Sequence, residues 1–444
     1  MFKSLMNALK VKDIRNKIIF TLCMLGVIRL GSSIPVPGIN PSVFSNWYKN
    51  LVGNSDSSFG FMDRFTGGSF EQMSILALNI TPYITSSIII QLLTIAIPKF
   101  EEWQRDGEDG RKKLTALTRY VTVALALIES IAMAIGFYNN KSGFLTNKSY
   151  FTVAQIVVAL TAGSAFLMWI GERITDKGVG NGISIVLTIN ILSRMPSDLH
   201  ALFETFVFNS ANIARGVVAA IVIIAVIILM VVLVVLLNGA ERKIPVQYAK
   251  KIQGRKTYGG NHSEIPLKVN TAGVMPIIFA MSLFQFPIIV SSLIGASNKG
   301  GVWSEFLAYL NQGNWFVREH WKYSIGLVVY ILLLIFFAYF YTSITFNPIE
   351  IADNMKKQGG FIPGIRPGKP TSDYLTNILN YIIFIGACGL IIIGIMPIFF
   401  SGMFGASVSF GGTSLIIVVS VVLETIKQIE SQMLVRNYKG FLED

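Results

Sequence analysis

Apolar residues in this chain come in long blocks, and that pattern restricts the fold more than any other feature of the sequence. Ten runs stand out: Lys17–Ile34, Ser74–Ile97, Thr118–Tyr138, Thr152–Ile170, Ile183–Ser193, Ala214–Leu237, Thr271–Ile294, Tyr323–Phe346, Tyr374–Phe399 and Gly412–Ile429. Most are about 20 residues long, enough for a helix to cross roughly 30 Å of hydrocarbon; Ile183–Ser193 is the short one. Inside hydrocarbon every backbone N–H and C=O must be paired within the segment, so each run is expected to be helical. Charged residues are only 14% of the 444, against about 25% in an ordinary soluble domain. The expectation is an all-α polytopic membrane protein with ten transmembrane helices, not a soluble enzyme.

Lys and Arg concentrate in cytoplasmic loops of membrane proteins. Ten spans put both termini on one side, and that side collects 27 of the 37 basic residues, against 9 on the other, with Arg29 inside the first run. The bias predicts that the N- and C-termini are both cytoplasmic. Met1–Lys17 is basic, but no small-residue cleavage site follows the first apolar run, which therefore reads as an anchor. Cys23 and Cys388 lie inside runs and offer neither a disulfide framework nor a metal-ligand spacing.

Ten runs divide five and five. An odd number per half makes the second half enter the membrane from the opposite side, the geometry of an inverted repeat with the functional path between the halves. Residues 1–16 then form a cytoplasmic tail, 17–196 an N-terminal half, and 197–213 an external connection. Residues 214–432 form a C-terminal half with cytoplasmic loops 239–270 and 347–372, and 433–444 a second tail. Phe59–Phe70 (FGFMDRFTGGSF) is too short and polar to cross. It reads as a surface loop, or as a short helix folded back against protein or a water-filled cavity. Three ionisable residues fall inside runs, Arg29, Glu129 and Glu424. Each is a functional candidate by its cost in lipid, though Arg29 and Glu424 lie near helix ends and Glu129 reads equally as a packed, hydrogen-bonding group.

Two of the loops assigned to the cytoplasm are longer and more basic than insertion requires: GAERKIPVQYAKKIQGRKTYGGNHSEIPLKVNTAGVMP and FNPIEIADNMKKQGGFIPGIRPGKPT. IPVQY alternates as a strand does and TYGG supplies a turn, so a projecting hairpin is expected in the first. A basic, aromatic-bearing projection suits an anionic partner, RNA or an acidic protein face; the same charges read alternatively as a topology signal alone.

These loops, with IRLGSSIPVPGIN, LNITPYITSSIIIQLLT, GERITDKGVGNGISI and FGGTSLIIVVSVVLET, occur in order over nearly the whole chain and resemble the SecY family of protein-export channels. The resemblance implies two inverted five-helix halves closing as a clamshell around a pore, with a side opening toward lipid. It places an aliphatic pore ring on Ile84, Ile88, Leu187, Ile278 and Ile417, Leu187 standing where the family more often has Ile. It places a plug helix at about 59–70, carrying Phe61, Arg64, Gly67 and Gly68, and lateral-gate helices at Ser74–Ile97 and Thr271–Ile294, carrying Ser86, Ser87, Gln91, Ser282 and Phe286. Docking of the SecA motor and the ribosome falls on Arg255 and Arg366, with Lys250, Lys251, Lys356 and Lys357 beside them. The implied partners are SecE, SecG, SecA, the ribosome, signal sequences and preproteins, anionic lipids, and YidC and SecD/SecF. The implied location is the bacterial cytoplasmic membrane, and no cofactor is implied.

Without the resemblance, two other classes compete. A secondary transporter with inverted repeats would carry polar or charged ligands at mid-depth in both halves, where this chain is mainly aliphatic. A pore-free insertase or scaffold is the third. Neither a GxxxxGK[ST] phosphate loop nor a catalytic triad is present, and His200, His262 and His320 lie scattered outside the runs. Energy for transport would therefore have to come from a partner.

Overall fold

The structure is a computed structural model that describes residues 9–53, 66–139, 143–208, 213–248, 251–253, 256–258, 262–294, 301–311, 314–315, 318–404 and 412–439. Helices dominate it. In the first half they are α1 (Lys12–Ser32), α2 (Pro41–Gly53), α3 (Thr81–Ala96), α4 (Pro98–Arg105), α5 (Glu108–Asn139), α6 (Tyr150–Lys177) and α7 (Gly182–Phe203). A π turn, Glu204–Phe208, leads to α8 (Ile213–Gly239). Strands β1 (Glu241–Tyr248), β2 (Lys251–Gln253), β3 (Lys256–Tyr258) and β4 (His262–Lys268) follow. The second half continues with α9 (Met275–Ile294), α10 (Val302–Leu310), α11 (Ile325–Thr345), α12 (Pro348–Lys357), β5 (Gly360–Phe361), α13 (Lys369–Phe404) and α14 (Gly412–Lys439).

Every predicted run coincides with a helix, on α1, α3, α5 to α9, α11, α13 and α14. Five helical stretches among the described residues are long and apolar enough to cross a membrane: Glu108–Tyr138, Tyr150–Lys177, Gly216–Gly239, Trp321–Lys357 and Lys369–Met396. A sixth is added if the bent pair Thr81–Ala96 and Pro98–Gln104 is one span. The 106° bend of that pair has a local cause. Ile97 precedes Pro98 and sits extended at φ −113°, ψ 112°, because the proline ring disfavours a helical residue before it.

Two runs become helical four or more residues later than the sequence reading placed them. The second run begins helically at Thr81, not Ser74. Met73–Ile80 is a run of turns in which Met73 and Asn79 adopt φ of 47° and 54°, left-handed values that a continuing helix cannot accept. This turn segment presses on α6 at Gly163, where a side chain would collide with the Ile75 carbonyl. The seventh run likewise starts at Met275 rather than Thr271.

The strictly all-α expectation is corrected by the strands. β1 pairs antiparallel with β4 from Glu241 opposite Lys268 to Gln247 opposite His262, and β2 pairs with β3 to prolong the hairpin. β5 adds to the free edge of β1, with Gln247 opposite Phe361 and Tyr248 opposite Gly360. The two basic loops are thus one body. Its core is Ile244, Val246 and Leu267 of the hairpin packed on Met355, Ile362, Leu375 and Ile378. α12 is well capped for its place there. Asn347 accepts from the amides of Ile349 and Glu350, Pro348 opens the first turn, and Lys356 and Lys357 close the last, where cations complement the helix dipole.

The halves meet along two seams. On one, α9 packs against α3 and α5; on the other, α14 packs against α7. Lys17 of α1 also donates to Gln432 of α14 at 3.3 Å, above an apolar contact of Ile14, Val179 and Ile429.

Candidate functional site

The centre of the molecule is a single apolar cluster drawn from both halves. Ile84 and Ile88 of α3, Leu187 of α7, Ile278 of α9 and Ile417 of α14 all belong to it. Ile417 is fully buried, and Ile84, the most open of the five, is 9% exposed. Ile84 and Ile88 stand one turn apart and so share a face of α3. All five predicted ring positions are therefore brought together, by four helices, two from each half. A cluster of this composition offers water and ions no hydrogen-bonding partners.

Beside the cluster lies a polar girdle around Gly67. Its carbonyl accepts from Arg29 Nη2 at 3.3 Å. Gly67 and Gly68 have φ of 67° and 84°, and a side chain at Gly67 would lie within 2.7–2.8 Å of the Asn190 carbonyl, Arg29 Nη1 and Ser193 Oγ. Only glycine meets both demands. Asn190 Nδ2 donates to Asn79 Oδ1 at 3.0 Å, Ser164 Oγ donates to the Asn79 carbonyl at 3.3 Å, and Arg194 pairs with Glu71 at 2.7 Å. Arg29 thus answers to a backbone carbonyl. Just beyond, Phe70 is held edge-on by Phe44 and Tyr48 of α2. The other two plug positions, Phe61 and Arg64, lie outside the described residues.

Of the gate positions, Ser86 is buried and shares a 2.6 Å hydrogen bond with Thr122 of α5. Gln91 Nε2 reaches Ser87 Oγ at 3.5 Å. Both are half-buried on α3, as is Ser282 on α9, while the side chain of Phe286 lies outside the described residues. Glu129 is half-buried on α5 and Glu424 exposed on α14.

On the cytoplasm-assigned body, Lys356, Lys357 and Arg366 are exposed. The Arg366 carbonyl accepts from Thr371 Oγ1 at 2.8 Å, fixing the turn while the guanidinium faces solvent. Lys250, Arg255 and the side chain of Lys251 lie outside the described residues. Among the described residues no group of His, Cys, Asp or Glu could hold a metal ion.

Sequence reasoning did not single out Asn79, Asn190, Ser193, Thr122 or Arg194. An available signal was the asparagine set in an otherwise apolar run, as in LALNIT and TINILS, since such a group must find a partner. Asn190→Leu is expected to destabilise the protein by about 1–3 kcal/mol by removing the buried hydrogen bond that Asn190 Nδ2 donates to Asn79 Oδ1, read as thermal unfolding in detergent. Adding Asn79→Gly, which keeps the left-handed backbone, should recover part of the loss; no recovery would mean the amides do not act as a pair.

The chain matches the SecY family over residues 74–426. It is 44% identical to the protein translocase subunit SecY of Halalkalibacterium halodurans, over the full length of both. Among solved structures it resembles a protein-conducting channel with a TM-score of 0.65, at 18% identity over 94% of this chain and 92% of that one. It also resembles Sec61 in the canine ribosome–channel complex of the endoplasmic reticulum, with a TM-score of 0.64 at 17% identity over the same shares of each chain. At these identities the structural likeness concerns the fold.

Proposed function

The chain belongs to the SecY family, and from that premise we propose that it forms the pore through which unfolded preproteins cross the bacterial cytoplasmic membrane. It is a protein translocase subunit by kinship. The observation that best supports a pore between its halves is the convergence of Ile84, Ile88, Leu187, Ile278 and Ile417 from four helices on one apolar cluster. The aliphatic ring seals the resting path, the segment around Gly67 and Gly68 plugs it, and parting of α3 from α9 releases apolar segments into lipid. Both termini face the cytoplasm, with ten spans in two inverted sets of five.

Energy is supplied from outside the chain, by SecA hydrolysing ATP or by the elongating ribosome, docked on the body built from loops 239–270 and 347–372. Support comes from the exposure of Arg366, Lys356 and Lys357 on one packed unit and from the ribosome bound to the Sec61 relative. SecE and SecG complete the complex in the membrane, anionic lipids surround it, and YidC and SecD/SecF act alongside.

The test is site-specific cross-linking. With Cys23 and Cys388 first replaced by Ser, Ile84→Cys, Leu187→Cys and Ile278→Cys should each trap a preprotein stalled in transit. A cysteine at exposed Tyr120 on α5 should not. Failure at all three central positions would remove the pore from between the halves.

A further inference from the structure

The cytoplasmic body is joined to the apolar ring by a chain of three short polar side chains. Asn238 stands next to last in α8, where helix carbonyls lack intrahelical partners. Its Nδ2 donates to Ser420 Oγ of α14 at 2.6 Å. Its Oδ1 accepts from Asn270 Nδ2, at the exit of β4 toward α9, at 2.7 Å. Lys427 Nζ approaches its carbonyl at 3.5 Å. Directly beside it the backbone amide of Val269 donates to the Ala240 carbonyl at 2.9 Å, closing the foot of the hairpin. α13 comes so close here that a side chain at Gly386 would strike the Val269 carbonyl.

Asn270 and Ser420 are each 8% exposed, and Ile416, Ile417 and Val421 around Ser420 are nearly or fully buried. Asn238 between them is half-buried; at the two buried ends a side chain that loses its partner finds little water to replace it, which favours movement of the three groups together. Ser420 lies three residues from Ile417, and Asn270 lies eight residues before Ile278. Of the two ring positions of the C-terminal half, Ile417 sits on a helix that Asn238 bonds directly, and Ile278 on the helix that begins five residues after Asn270.

We propose that Asn238 is a positioning residue, the joint through which a load applied to the cytoplasmic hairpin reaches α14 and α9 and shifts Ile417 and Ile278. Apolar packing lets helices slide, whereas paired amides hold register. Among the described residues, the joint does not include the docking position Arg366. The inference rests on the transport reading given above.

The experiment uses the complete translocase complex in liposomes, with SecA, ATP and an unfolded preprotein. Asn238→Leu, close to asparagine in volume, should lower the import rate by roughly tenfold, within the range of coupling energies carried by packed networks. SecA affinity and resting ion conductance should stay at wild-type values, which also shows that the variant is folded. Ser420→Ala should slow import similarly, and the double variant should be no slower than Asn238→Leu alone. Import at the normal rate, a parallel loss of SecA affinity, or losses that add in the double variant would each overturn the joint. Absence of import by the wild-type complex would instead overturn the transport reading.

Discussion

Replacing Ile84, Ile88 and Ile278 together with serine is expected to make the resting channel leak ions, raising its closed-state conductance by at least about tenfold in planar bilayers. All three side chains are buried in the central cluster. On the proposed reading their effect is to deny water any partner in a narrow neck. Three hydroxyls supply partners, and the lost aliphatic volume widens the neck, so a continuous water column becomes stable. Removing the buried groups also weakens packing, by up to about 2–5 kcal/mol for a fully buried aliphatic residue cut to alanine. A second variant with leucine at the same three positions therefore serves as the control. It keeps the chemistry and nearly the volume, so it should stay sealed. Unchanged single-channel conductance in the serine variant would discard the ring assignment.

Arg366→Glu should reduce SecA-driven export by roughly a hundredfold, the scale set by placing a like charge in an interface that expects its opposite. Membrane insertion and folding should be unaffected. The turn is fixed through the Arg366 carbonyl rather than its side chain, and the guanidinium lies in solvent. Arg366→Lys should fall between the two, since an ammonium keeps the charge but not the planar fork that grips a carboxylate or phosphate with two bonds. Vesicles carrying Arg366→Glu that export at the normal rate would show that the docking assignment is wrong.

The helices were legible because hydrocarbon imposes one solution, and length and apolarity report it directly. Ile183–Ser193 looked too short only because Arg194 and Pro196 interrupt the apolar run; the helix itself runs on to Phe203. Ser74–Ile80 misled in the other direction. Its composition is that of a span, but positive φ at Met73 and Asn79 is a backbone fact that hydropathy does not register. The hairpin could be read from the alternation in IPVQY. Its union with the second basic loop could not, because β5 is two residues long and lies more than a hundred residues from its partner Gln247. The ring positions came from family motifs. The polar partners around Gly67, and the Asn238 chain, depended on contacts between elements distant in sequence, which a single sequence does not encode visibly.

The brevity of α3 has a consequence for the lipid beside it. Its 16 residues rise only about 24 Å, several ångströms short of the usual hydrocarbon thickness, before Pro98 turns the chain aside. On the proposed reading, in which α3 borders lipid, the bilayer beside it would dimple to meet it, at a fraction of a kcal/mol per ångström of mismatch. With α3 and α9 as the proposed exit, a segment departing there would enter a thinned membrane. A stretch of fewer than twenty apolar residues, or one carrying a stray polar group, then meets a lower barrier to insertion than it would in undisturbed lipid.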